Sequence, residues 1–133
     1  MWRSRGYTPG VTVREVSSDV FRPEVVSVRA ARRFLQENLA DVSDEMRDTA
    51  VLLVSELATN SVRHAATSFS VSLLVAESTV RVEVADWDAT MPVPQVTTRR
   101  DVDGRGLAIV ARLAADWGVE PVGGGKVVWF MLR

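Results

Sequence analysis

Residues 69–86 read FSVSLLVAESTVRVEVAD, and this stretch decides the fold. Phe69, Val71, Leu73 and Val75 stand two apart with serines among them, the period at which a strand presents one face to a core. Glu77 and Ser78 break the run. Val80, Val82 and Val84 then alternate with Arg81, Glu83 and Ala85, which predicts a second strand hairpinned to the first.

Working outward, the C-terminal side begins with a polar segment. Pro92 and Pro94 start a loop lasting to Asp103, and Gly104 and Gly106 open an apolar helix expected over Leu107–Ala115. Residues around Val119 predict a short strand, and Gly123 to Gly125 a tight turn. Val127 to Leu132 is apolar on both faces, as in a strand inside a sheet. On the N-terminal side, Ser43 suits a helix N-cap, with Asp44 and Glu45 in the positively polarised first turn. Met46, Ala50, Leu53 and Leu57 form that helix's apolar stripe, and the helix is expected to reach about His64. Before it, Val25, Val28, Arg32, Leu35 and Leu39 recur at helical spacing, with Pro23 in the first turn. Val11, Val13 and Val16 suggest a short initial strand. Residues 1–10 carry no periodicity and read as a flexible terminus, leaving one domain over 11–133. The order of strand, two helices, hairpin, loop, helix and hairpin predicts an α+β, two-layer sandwich with helices on one face of a mostly antiparallel sheet.

Composition narrows the chemistry. Among 133 residues, 47% are hydrophobic and 25% charged, the balance of a globular domain with one core. A net charge of −1 gives no bulk signature of nucleic-acid binding. There is no cysteine, which excludes disulfides, thiolate metal sites and cysteine nucleophiles. The single histidine, His64, leaves no material for a histidine metal cluster or a histidine-based triad. The apolar run Val127–Leu132 is too short to span a membrane, and no secretion signal is visible, so a cytoplasmic location is expected. Trp117 and Trp129 read as core residues.

Three features break the structural pattern. Asp86 continues the phase of Val80, Val82 and Val84, so it either aims a carboxylate at the buried side or ends the strand early as a turn residue. Glu56 and Asn60, four apart, share one side of the second helix, which Arg63 and His64 extend. They are either a solvated face or a functional pair, in which the Asn60 amide oxygen is a hard ligand for Mg²⁺ and Glu56 a proton acceptor. Gly104-Arg105-Gly106 stands before an apolar helix, where glycines and free N–H groups admit a phosphate, or where a plain loop simply turns into a helix. It is not a dinucleotide fingerprint, because Ile109 replaces the third glycine. Gly125-Lys126 is not a P-loop, because Glu120 and Val127 occupy positions that require glycine and a hydroxyl.

In this order the features resemble one family. Residues 56–64, ELATNSVRH, resemble the helical N-box of the GHKL ATPases, which include histidine kinases and gyrase. Asp86 falls where that family has its adenine-binding aspartate, Gly104-Arg105-Gly106-Leu107 resembles its second glycine box, and Gly125 to Phe130 resembles the closing strand of the short anti-sigma serine kinases. The resemblance covers roughly residues 11–133. It implies ATP and Mg²⁺ as ligands, with Asn60 on the metal and Asp86 on the adenine amino group. It further implies Gly104, Arg105 and Gly106 beside the phosphates, a lid over about Met91–Asp103, and Glu56 as the base. It also implies a homodimer that holds a sigma factor and phosphorylates a serine on an STAS-type antagonist, touching neither nucleic acid nor membrane. An ATP-gated switch without kinase activity is the alternative. Two departures stand out: Trp87, Asp88, Ala89 and Thr90 replace the glycines that normally follow the aspartate, and Val127 replaces a threonine.

Overall fold

In the computed structural model, which describes residues 13–65, 67–87 and 102–133, nine elements follow one another. They are β1 (Val13–Phe21), α1 (Val25–Asn38), α2 (Asp44–Asn60), a π-helical turn (Ser61–Ala65), β2 (Phe69–Ala76), β3 (Thr79–Asp86), α3 (Val102–Leu113), β4 (Asp116–Val122) and β5 (Gly125–Leu132). The expected terminus 1–10 and most of the expected lid lie outside the described residues.

The hairpin at 69–86 forms in the register its alternation demands, from Phe69 opposite Asp86 to Ala76 opposite Thr79. The five strands order as β1-β2-β3-β5-β4, every neighbouring pair antiparallel. Register places Val71, Val84, Val128 and Val119 in one transverse row, and Leu73, Val82, Phe130 and Trp117 in the next. These rows face the helices and form the core with Leu53, Leu57, Leu107 and Val110. The expected two-layer α+β architecture is therefore the one observed.

Local chemistry sets the helix ends. The Ser43 hydroxyl accepts a hydrogen bond from the Met46 N–H at 3.2 Å, capping α2 as its sequence predicts. Arg47 ties the α1–α2 connection by donating to the Leu39 and Val42 carbonyls and by pairing with Asp44. The chain departs from expectation in α1, which starts at Val25 and leaves Pro23 before the cap. Its buried line is Ser27, Ala31 and Leu35, whereas Val25 is 81% exposed. β1 is longer than expected, because an edge strand needs main-chain pairing on one side only and tolerates exposed Val16 and Val20. α3 starts earlier than expected, at Val102, so Gly104 and Gly106 lie inside its first two turns and not before them. Glycine costs a helix backbone entropy wherever it stands, and buried Leu107 and Val110 anchor the rest of α3.

The sheet face away from the helices carries a second departure. Trp129 is not in the helix-facing core. It stacks on the Arg81 guanidinium, whose carbon lies 4.1 Å from the ring centroid, and covers Gly118, where a Cβ would meet its Nε1 at 2.7 Å. Arg81 is 2% exposed and donates from Nε to Glu83 at 3.0 Å. An Arg and Glu two apart on a strand read as a solvated face, and only the cross-strand tryptophan turns them into a buried pair.

Phe130 is fully buried between Val82 and Trp117. Phe130→Ala is expected to cost about 3–5 kcal/mol, measured by urea unfolding.

Candidate functional site

Across β2, β3 and β5 the helix-facing side of the sheet is apolar until its last row, while edge strand β1 sets Ser17 and Asp19 beside Leu73 and Val71. That row runs Phe21, Phe69, Asp86, Lys126 and Pro121 across the five strands. Phe21 and Phe69 stack with ring centroids 5.4 Å apart. Beside them the Asp86 carboxylate is buried, so the reading in which β3 carries it inward holds. A buried carboxylate needs a partner, and Lys126 supplies it: Nζ donates to Asp86 Oδ1 at 3.0 Å, with side-chain exposures of 10% and 5%. Backbone geometry presses the two strands together here. A Cβ on Gly125 would stand 1.8 Å from the Asp86 carbonyl oxygen, a contact only glycine permits. Beyond the pair, the Trp87 N–H donates to Thr67 Oγ1 at 3.2 Å and the Trp87 side chain turns out to solvent.

Glu56 and Asn60 sit half-buried on the last turns of α2. The α-helix stops at Asn60, earlier than expected, and passes into the π turn Ser61–Ala65. A wider turn shifts the side-chain phase, so Arg63 and His64, both exposed, do not simply prolong the Glu56–Asn60 face. Such π insertions recur at functional sites. The chain then reaches Phe69, Asp86's partner in the sheet, within a few residues. The end of α2 and the end of β3 thus share one edge of the molecule.

α3 precedes β4 in the chain. Its C-terminal end hands the chain to β4, with the Ala115 N–H donating to the Met131 carbonyl at 2.8 Å. Gly104, Arg105 and Gly106 lie in the first turns of α3, at the end away from Ala115.

The family assignment follows from comparison with known proteins. Residues 21–132 match the histidine kinase-like ATPase domain. The chain belongs to that family. The solved structure of the RsbU and RsbW domains of Rv1364c from Mycobacterium tuberculosis is similar to this ATPase domain, with a TM-score of 0.70 and 20% identity. The similarity covers 90% of this chain, which spans 32% of that one, and it carries the fold. Among curated proteins none matches.

The donor set of this histidine kinase-like domain suits a nucleotide held by few protein groups. Among the described residues no three His, Asp or Glu side chains gather as a metal cage. Mg²⁺ needs none, since it commonly takes one or two protein oxygens together with phosphates and water. The half-buried Asn60 amide offers one such oxygen. The sequence singles out Glu56, Asn60 and Asp86 as candidates but not Lys126, the observed partner of Asp86. Two signals pointed to it: it shares the inward phase of Val128 and Phe130, and it is a lone lysine in a chain with 16 basic residues.

Gly125→Ala is expected to lower stability by about 3 kcal/mol, because the methyl group forces β5 from β3 at the ion pair. Thermal unfolding monitored by circular dichroism checks it.

Proposed function

We propose that this domain binds ATP with Mg²⁺ and serves as an anti-sigma regulator. In this reading it holds a sigma factor and phosphorylates a serine of an STAS-type antagonist, acting as a cytoplasmic homodimer. The observation that carries the nucleotide part is the buried Asp86 carboxylate, paired with Lys126 in the last helix-facing row of the sheet, in a domain of the histidine kinase-like ATPase family. The partners rest on the resemblance of the N-box, second glycine box and closing strand to the short anti-sigma kinases. No helix among the described residues is long and apolar enough to cross a membrane.

Each residue then has a defined task. Asp86 accepts a hydrogen bond from the adenine amino group. Asn60 holds the metal, which when bound neutralises phosphate charge. The backbone of Gly104, Arg105 and Gly106 borders the phosphates in the first turns of α3, whose positive end favours anions. Glu56, one helical turn before Asn60, takes the proton from the attacking serine hydroxyl as the γ-phosphoryl group passes to it and ADP leaves. Transfer of this kind depends on positioning and electrostatics, so a rigid helix end is a suitable mount. The ATP-gated switch without transfer draws support from Trp87, which is 69% exposed directly after Asp86, where the family has glycines.

Titration calorimetry with ATP and Mg²⁺ tests the ligand. Asp86→Asn keeps an oxygen for Lys126 and so preserves the fold, yet it is expected to weaken ATP about tenfold to a hundredfold. Asn60→Ala is expected to abolish the Mg²⁺ dependence of binding. Unchanged affinity in both folded variants would remove these residues from the site.

Single-turnover phosphorylation of a cognate antagonist tests the reaction. Glu56→Gln is expected to bind ATP normally and to transfer at least about a hundredfold more slowly. A wild type that binds ATP but phosphorylates no antagonist favours the gated switch.

A further inference from the structure

The buried Asp86–Lys126 pair has a chemistry beyond charge neutralisation. A carboxylate oxygen and an ammonium nitrogen lie 3.0 Å apart on directly opposed residues of β3 and β5. Together they present an acceptor and a donor side by side. The Watson–Crick edge of adenine presents the complementary order, a donor at the N6 amino group next to an acceptor at N1. Guanine presents the reverse, an acceptor at O6 next to a donor at N1. Charge neutralisation explains why a cation stands opposite Asp86, but it does not by itself choose which cation.

The type of cation matters. A guanidinium presents a planar fork that engages both oxygens of a carboxylate at once. An ammonium is a compact point donor with three N–H bonds, and here it engages Oδ1. A carboxylate accommodates about four hydrogen bonds, so the pair can hold each other and still address a third group. This chain has 16 basic residues, and its one lysine stands opposite Asp86. Gly125 lets the β3 and β5 backbones close up directly beside the pair.

We infer that Lys126 is a specificity-determining residue that donates to N1 of adenine while Asp86 accepts from N6. The inference rests on the proposed reading of Asp86 as the adenine acceptor and adds a direct side-chain reader of the second ring position. Adenine is selected because both groups find partners. Guanine is rejected because its O6 faces a carboxylate and its N1–H faces an ammonium, leaving buried polar groups opposed.

The test compares ATP with 1-deaza-ATP, which carries C–H in place of N1, and with purine riboside triphosphate, which lacks the amino group. Calorimetry with Mg²⁺ is run on wild type, Lys126→Met and Lys126→Gln. Wild type is expected to bind 1-deaza-ATP about tenfold to a hundredfold more weakly than ATP. In Lys126→Met that ratio is expected to fall within about threefold, with ATP itself weakened. Lys126→Gln keeps an N–H donor and is expected to give an intermediate ratio, and it serves if the Met variant fails to fold. The same ATP to 1-deaza-ATP ratio in wild type and variants overturns the inference and leaves Lys126 a counter-ion of Asp86. Purine riboside triphosphate binding wild type as well as ATP removes Asp86 from the amino group. A wild type that binds no ATP overturns the nucleotide reading itself, and this inference with it.

Discussion

The register between β3 and β5 is the constraint on which the rest of this domain depends. Antiparallel pairing sets Val82 opposite Phe130 and Val84 opposite Val128, so the apolar rows close against α2. The same pairing, one step further, sets Asp86 opposite Lys126. A slip of one residue would turn Val128 and Phe130 to the other face and leave the carboxylate buried without its cation. Hydrophobic patterning and charge pairing therefore enforce one register together. Gly125 makes it sterically possible, since no other residue lets the two backbones approach so closely.

Where the apolar rows end, the architecture brings polar groups of α2, β3 and β5 to one edge. The α2 stripe of Ala50, Leu53 and Leu57 fixes that helix over the sheet and thereby fixes where Glu56 and Asn60 lie. The π turn at Ser61–Ala65 ends the α-helical phase directly after Asn60, so the helix presents its last polar pair and then departs. Stability and site thus share the same elements: packing of the helix face sets the position of its opposite side.

The outer sheet face follows a different logic. Arg81, Glu83, Trp129 and Gly118 form a local cluster in which a guanidinium is buried by stacking on an aromatic ring and by one carboxylate contact. A glycine opposite the tryptophan provides the space. This arrangement leaves Arg81 Nη1 and Nη2 without hydrogen-bond partners, a cost that the cation–π contact and the Glu83 pairing offset.

The sequence by itself determined the elements and their layering. Period-two alternation at 69–86, the Ser43 cap and the Met46–Leu57 stripe each encode local geometry, and such signals need no distant partner to be read. Glu56, Asn60 and Asp86 were legible for the same reason, as polar residues in phase with or opposite to an apolar pattern. Tertiary structure alone decided the rest. The β1 strand extends through polar residues because β2 supplies its hydrogen bonds, and the first glycines of α3 are helical because Leu107 and Val110 are anchored downstream. Trp129 faces away from the core because β5 alternates and register gives Val128 and Phe130 the helix-facing side, and Gly118 across from it leaves room for the ring. Lys126 became a partner of Asp86 only through pairing of residues 40 positions apart. Such pairings depend on register across the sheet, which no local window of sequence contains.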